Sequence, residues 1–134
     1  LDGDMQHDPK HLNNFISCKD VDLVLGARKF KSPMPLHRII SNTITSFIIS
    51  TFVGQNIKDA QCGFRLYNLN FIKKHLINED GYLYESEVLL KCINKKTLIV
   101  NVPIDTIYSG SKSHINNLKD TMKFIKMLIR YLFA

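Results

Sequence analysis

The chain has 134 residues, 45% hydrophobic and 22% charged, which is enough for one domain or part of one, with a buried core and an ordinary charged surface. Its three cysteines, Cys18, Cys62 and Cys92, are odd in number, widely spaced and without a Cys-x-x-Cys pair; this argues against a disulfide framework or zinc site and fits a reducing compartment. No apolar run is long enough to span a bilayer, and the net charge of +6 implies an anionic partner without choosing among nucleotide phosphate, lipid headgroup and nucleic acid.

Asp2 and Asp4 come first in chain order. In an extended segment their spacing sends both carboxylates to one side, and two hard oxygen ligands suit Mg²⁺ or Mn²⁺, ions that keep positions open for substrate phosphates. Spacing alone leaves a solvated turn equally open. A calcium loop of EF-hand type starting at Asp2 needs Gly and Glu where the chain has His7 and Asn13, and the residues between His7 and His11 are not those of a zinc-protease helix.

Asp8 followed by Pro9 predicts a capped helix start and a short helix running to about Cys18. Val21 to Gly26 reads as a buried strand ended by its glycine. Arg28 to Pro35 reads as a basic loop broken by Pro33 and Pro35. Leu36, Ile39, Ile40, Ile44, Phe47, Ile48 and Phe52 recur at helical spacing as far as Val53, and Gly54 supplies a stop. The helix carries too many Ser, Thr and Asn residues for a transmembrane assignment.

Asp59 to Tyr67 is expected to form a loop and then a short strand. Helices are expected near Leu69 to Ile77 and over Glu85 to Ile93, with a strand from Thr97 to Val102 stopped by Pro103. Alternating strands and helices give an α/β class.

Residues 116–134 read as a basic amphipathic helix beside a main unit of residues 1–115. Lys119, Lys123, Lys126 and Arg130 form one stripe, and Leu118, Met122, Ile125, Ile129 and Leu132 form a neighbouring apolar stripe. Such a helix can lie on an anionic membrane surface or pack on its own domain; the apolar end of the chain favours the membrane.

Several motifs stand in a fixed order: Asp2-Gly-Asp4-x-Gln6-His-x-Pro9, Gly26-Ala27-Arg28, Asp59-Ala-Gln61-Cys62-Gly63-Phe64-Arg65, Tyr84-Glu85-x-Glu87, Val102-Pro103-Ile104-x-Thr-x-Tyr108, and Ser113-His114-Ile115 followed by Asp120. The ordered set resembles the family 2 glycosyltransferases of GT-A fold, a Rossmann-like nucleotide-diphospho-sugar transferase architecture. The likeness is to the polyprenyl-phosphate branch that includes dolichyl-phosphate mannose synthase, and it covers almost the whole chain. In that family a nucleotide-binding half precedes the Asp-x-Asp motif. The resemblance therefore implies that this chain is the C-terminal, acceptor-side half of a catalytic domain, partnered by a missing N-terminal half and doubtful in independent activity.

The resemblance implies that Asp2 and Asp4 hold Mg²⁺ or Mn²⁺ against a nucleotide-sugar diphosphate, with Gln6 assisting. From the residues themselves, Arg28 follows a strand-ending glycine, where a guanidinium reaches a phosphate with bidentate geometry. Arg65 is a further phosphate candidate; Arg38 reads better as a surface ion-pair partner. Asp59, before the Gly63 turn, is a candidate catalytic carboxylate, either a base or an acceptor-positioning group. Glu85 and Glu87, two apart at a helix start, face different directions, so one is expected in the cleft. Tyr108, Lys112, Ser113 and His114 lie in a loop after a strand, a normal place for ligand contacts though equally open to being an ordinary polar loop; the resemblance implies that they contact the acceptor.

The implied activity is metal-dependent, inverting hexosyl transfer from a nucleotide-sugar to a polyprenyl phosphate (undecaprenyl or dolichyl), at the cytoplasmic face of the cell membrane, in envelope glycan or lipid-linked sugar synthesis. Two alternatives stand beside it: the same fold with a saccharide hydroxyl acceptor, which requires a general base, and a non-catalytic basic module that binds membrane or nucleic acid. Clustered carboxylates disfavour the last, and no nucleic-acid partner is expected without an aromatic-rich basic surface.

Overall fold

The computed structural model describes residues 6–30, 34–75, 77–93, 96–107 and 117–133. A 3-10 turn (Pro9–His11) leads into α1 (Leu12–Ile16), followed by β1 (Leu23–Arg28), α2 (Leu36–Val53), β2 (Arg65–Tyr67) and α3 (Leu69–Lys74). A second 3-10 turn (Gly81–Leu83), α4 (Tyr84–Leu90), β3 (Ile99–Ile104) and α5 (Asn117–Leu132) complete the order. The strands form one mixed sheet in the order β2-β1-β3. β1 is antiparallel to β2 and parallel to β3, with Leu25 opposite Arg65 on one side and Asn101 on the other.

From Leu23 to Ala27 β1 is apolar because it is buried on both faces. Leu23 and Leu25 point into a core built from Ile49 and Val53 of α2, Val88, Leu89 and Leu90 of α4, and Met127 and Leu128 of α5. Val24 points the other way, toward Phe15, Cys62, Phe64, Val102 and Ile104. There the Phe15 and Phe64 rings stack at 4.2 Å. Burying each such ring contributes on the order of 1.5–3 kcal/mol.

Two expectations are corrected. Gly26 lies inside β1 and does not end it. Its N–H donates to the Phe64 carbonyl at 2.8 Å, and a Cβ there would meet that oxygen, Cys62 Sγ and Ile104 Cδ1, each at 2.9 Å. The glycine serves close packing, not a turn. β3 likewise runs through Pro103 to Ile104. Among the described residues it is an edge strand, where a residue without an N–H is tolerated. By contrast α2 spans Leu36–Val53, and Gly54 closes it in the left-handed region at φ 73°. Asp8 caps the first turn by accepting from the Lys10 N–H at 3.0 Å.

The face that α5 turns inward differs from the expected apolar stripe. Phe124, Met127, Leu128 and Tyr131 pack on the core, while Met122, Ile125 and Ile129 are about half exposed beside exposed Lys119, Lys123, Lys126 and Arg130. α5 is pinned at Glu87. The fully buried Glu87 carboxylate accepts from the Tyr131 hydroxyl at 2.8 Å and from the backbone N–H groups of Asn78 and Glu79 at 2.8 and 2.7 Å. Arg130 donates to Glu79 at 2.9 Å.

Burial by itself would raise the Glu87 carboxyl, but the Glu79 N–H, Tyr131 hydroxyl and Asn78 N–H together hold it below its ordinary 4.5. Its stabilisation is therefore present above pH 4.5 and lost as pH falls through the lower folded value. Tyr131→Phe is expected to cost about 1.5–3 kcal/mol at neutral pH. It should also shift acid unfolding to higher pH, as read by circular dichroism along a pH series.

Candidate active site

Ligands of open α/β sheets sit beyond the carboxyl ends of the strands. At that edge Arg28 ends β1 directly opposite Ile104, which ends the parallel β3. The chain beyond β3 folds back on the N-terminal segment: His7 bridges Thr106, and the Ile107 N–H donates to the Gln6 carbonyl at 3.0 Å. Gln6 and the start of the segment leading to residue 108 are thus brought to one edge. Asp2 and Asp4 precede that bridge in sequence, and Tyr108, Lys112, Ser113 and His114 follow it; all six lie outside the described residues.

The centre of this edge is an ion pair. Arg28 Nε and Nη2 donate to Asp59 Oδ2 and Oδ1 at 2.6 and 3.0 Å, a fork-on-carboxylate arrangement. The Arg28 backbone N–H adds a weaker contact to Oδ2 at 3.3 Å. Asp59 is 0% exposed and the Arg28 side chain 14% exposed. Each residue was singled out by sequence, but not as the other's partner. The guanidinium edge expected to clasp a phosphate is held by Asp59, so the carboxylate fixes the cation's direction.

The loop that carries Asp59 is anchored from three sides. From α2, Ser46 Oγ accepts the Ala60 N–H at 3.0 Å and Ser50 Oγ accepts the Ile57 N–H at 2.9 Å. From β3, Asn101 accepts the Lys58 N–H and donates to the Asn56 carbonyl. From β2, Arg65 donates to the carbonyls of Cys62, Glu85 and Ala60, each at 2.8 Å. Arg65, the further phosphate candidate, is buried with its guanidinium bonded to three carbonyls, so in the described residues it braces this loop. Ser46, Ser50 and Asn101 were missed as positioning residues. For the two serines the available signal was hydroxyls among the apolar residues of a helix; Asn101 lies in β3 and had no such signal.

The two glutamates separate as their spacing requires. Glu87, a catalytic candidate by sequence, is fully buried and links α4 to α5 through Tyr131. Glu85 is half-buried, and its carbonyl receives Arg65, so α4 and the Asp59 loop share one brace. Burial, with the nearby Asp59 charge, pushes the Cys62 thiol up to about 11; it is a neutral packing group at pH 7. Among the described residues no group of three or more His, Cys, Asp or Glu side chains is placed to hold a metal ion.

No family model matches the sequence. An uncharacterized protein of Methanocaldococcus jannaschii is 30% identical over 99% of this chain and 61% of its own length. The polyprenol monophosphomannose synthase of Mycolicibacterium smegmatis is 25% identical over 91% of this chain and 51% of its own. The dolichyl-phosphate beta-glucosyltransferase of Saccharomyces cerevisiae is 34% identical over 61% of this chain and 25% of its own. The named relatives are glycosyltransferases. This chain spans between a quarter and three-fifths of the length of these three. Its mixed sheet, covered by helices, is compatible with part of a Rossmann-like domain. No described helix is long and apolar enough to cross a membrane.

Proposed function

We propose that the chain forms part of the catalytic domain of a family 2 glycosyltransferase of GT-A fold. In this reading the domain transfers a hexosyl group, with inversion, from a nucleotide-sugar to a polyprenyl phosphate at the cytoplasmic membrane surface. The observation that carries it is the Arg28–Asp59 pair at the carboxyl end of β1, in a chain related to enzymes named as polyprenol- and dolichyl-phosphate sugar transferases. The Asp59 carboxylate sets the direction of the Arg28 guanidinium, which supports a positioning role for the pair at this edge.

The buried, ion-paired state of Asp59 suits orientation of Arg28 better than proton abstraction. An acceptor phosphate needs no base: its anionic oxygen forms the new bond to the anomeric carbon while the bond to the nucleoside diphosphate breaks and that group takes the electron pair. A saccharide hydroxyl would require a proton acceptor. Support for an acceptor role of Lys112, Ser113, His114 and Tyr108 comes from their place in the sequence, after the residue that bonds Gln6. The basic stripe of α5 supports contact with an anionic membrane.

Asp2 and Asp4 are the proposed holders of Mg²⁺ or Mn²⁺, which would neutralise charge on the departing nucleoside diphosphate. Asp4→Ala in the full-length protein should reduce transfer by about a hundredfold or more and weaken Mn²⁺ binding followed by electron paramagnetic resonance. Normal transfer with unchanged Mn²⁺ affinity would remove the metal site from Asp4.

A further inference from the structure

In the 3-10 turn Pro9–His11, Pro9 and Lys10 are exposed, but the His11 side chain is only 12% exposed. Its Nε2 accepts the Asp105 backbone N–H at 3.1 Å. Asp105 directly follows Ile104, the residue opposite Arg28 in the sheet. His11 therefore holds the first residue beyond β3, at the level of the Arg28–Asp59 pair. The next two residues pair with the same N-terminal segment: Thr106 bridges His7, and the Ile107 N–H donates to the Gln6 carbonyl at 3.0 Å. Of these three contacts the His11 bond is the one made by a side chain, so it is the one that a change of protonation breaks.

A ring nitrogen that accepts an N–H must carry a lone pair, so a neutral His11 bonded in this way holds its proton on Nδ1. Protonation turns Nε2 into a donor that faces another donor. An acceptor is at hand in the same residue, since Asp105 Oδ2 lies 3.5 Å from Nε2. The charged groups around the ring among the described residues are Asp105, Lys10 and Asp8. The Asp105 carboxylate is 58% exposed and shared with Lys10 Nζ at 3.5 Å, and Lys10 also pairs with Asp8 at 3.0 Å. Exposed ion pairs of this kind contribute little. On protonation the His11 bond thus passes from the Asp105 backbone to its solvated side chain, and the backbone is released.

We propose that His11 is a positioning residue for the transfer reaction: its neutral ring clips the Asp105 backbone and so holds Gln6 at the Arg28–Asp59 edge, and its protonation opens the clip. This deepens the function proposed above and rests on it. Histidine suits the task because imidazoles change charge between about pH 5 and 8.

The test compares transfer rates of two variants of the full-length protein with the parent at each pH, so that titration of the substrate phosphates cancels in the ratio. His11→Gln keeps an acceptor oxygen that does not titrate in this range. Its rate should match the parent's at about pH 8 and exceed it by about fivefold at about pH 5.5, the equivalent of one hydrogen bond. His11→Leu offers no acceptor, so its rate should lie about fivefold below the parent's at about pH 8 and approach it at about pH 5.5. Ratios that stay constant with pH would overturn the positioning role while leaving sugar transfer standing. Nuclear magnetic resonance of the ¹⁵N-histidine-labelled protein reads the clip directly. At about pH 8 the ring signals that His11→Gln removes should be a protonated Nδ1 and an unprotonated Nε2. A protonated Nε2 would overturn the clip whatever the protein transfers. A parent with the expected ring signals but no transfer at any pH would overturn the proposed function, and the positioning role with it.

Discussion

Asp59→Ala is expected to destabilise the domain by about 3–5 kcal/mol, because it removes the buried carboxylate that holds the largely buried Arg28 guanidinium by two charge-assisted hydrogen bonds. The loop should suffer as well, since Asp59 also accepts the Gln61 N–H at 3.3 Å. Arg28→Ala should cost a similar amount by leaving Asp59 charged and buried. The Arg28→Ala/Asp59→Ala variant should cost far less than the sum of its singles, because both charges of the pair are then removed together. Arg28→Lys should restore little, since an ammonium cannot reproduce the fork. Urea unfolding of the four variants gives the coupling energy; additive losses would mean that the pair is not a structural unit. In the proposed reaction Asp59→Asn should also depress transfer, by misdirecting a guanidinium that remains charged.

Gly26→Ala is the second large effect. The added methyl would lie 2.9 Å from three atoms, two of them in the Cys62–Phe64 segment and one in β3. Cys62 Sγ and Ile104 Cδ1 are side-chain atoms that can give way. The Phe64 oxygen is backbone and already accepts the Gly26 N–H at 2.8 Å. The expected loss is about 3 kcal/mol, the upper end of the overpacking range. Combining it with Ile104→Val should recover only part, because the carbonyl contact persists. A thermal midpoint within experimental error of the parent would show that β1 and the Phe64 segment can separate without loss.

Local signals made the helices legible in the sequence. The apolar period from Leu36 onward and Gly54 after Val53 gave the bounds of α2, since both causes act within a few residues. Signals that depend on neighbouring segments were misread. Gly26 resembles a strand end until Phe64 and Ile104 are seen against it, and Pro103 stops a strand only where both sides of the backbone are paired. The same holds at the candidate site. Arg28 and Asp59 were each picked out by chemistry, yet they are 31 residues apart, and nothing local says that they neutralise each other. For Arg65 and Glu87 the sequence displays a charge but not the backbone carbonyls and N–H groups bonded to it. The three faces of α5 show the same limit: its basic stripe was legible, whereas the choice of Met127 and Leu128 over Ile125 and Ile129 for burial depends on α4.

The most direct measurement is sugar transfer by the full-length protein, supplied in turn with labelled nucleotide-sugars and with a polyprenyl phosphate or an oligosaccharide as acceptor. The proposed reaction predicts a labelled lipid-phosphate sugar that forms with the parent protein, falls sharply with Arg28→Ala and needs no added base. Label appearing only on the oligosaccharide, or lipid product undiminished by Arg28→Ala, would contradict it.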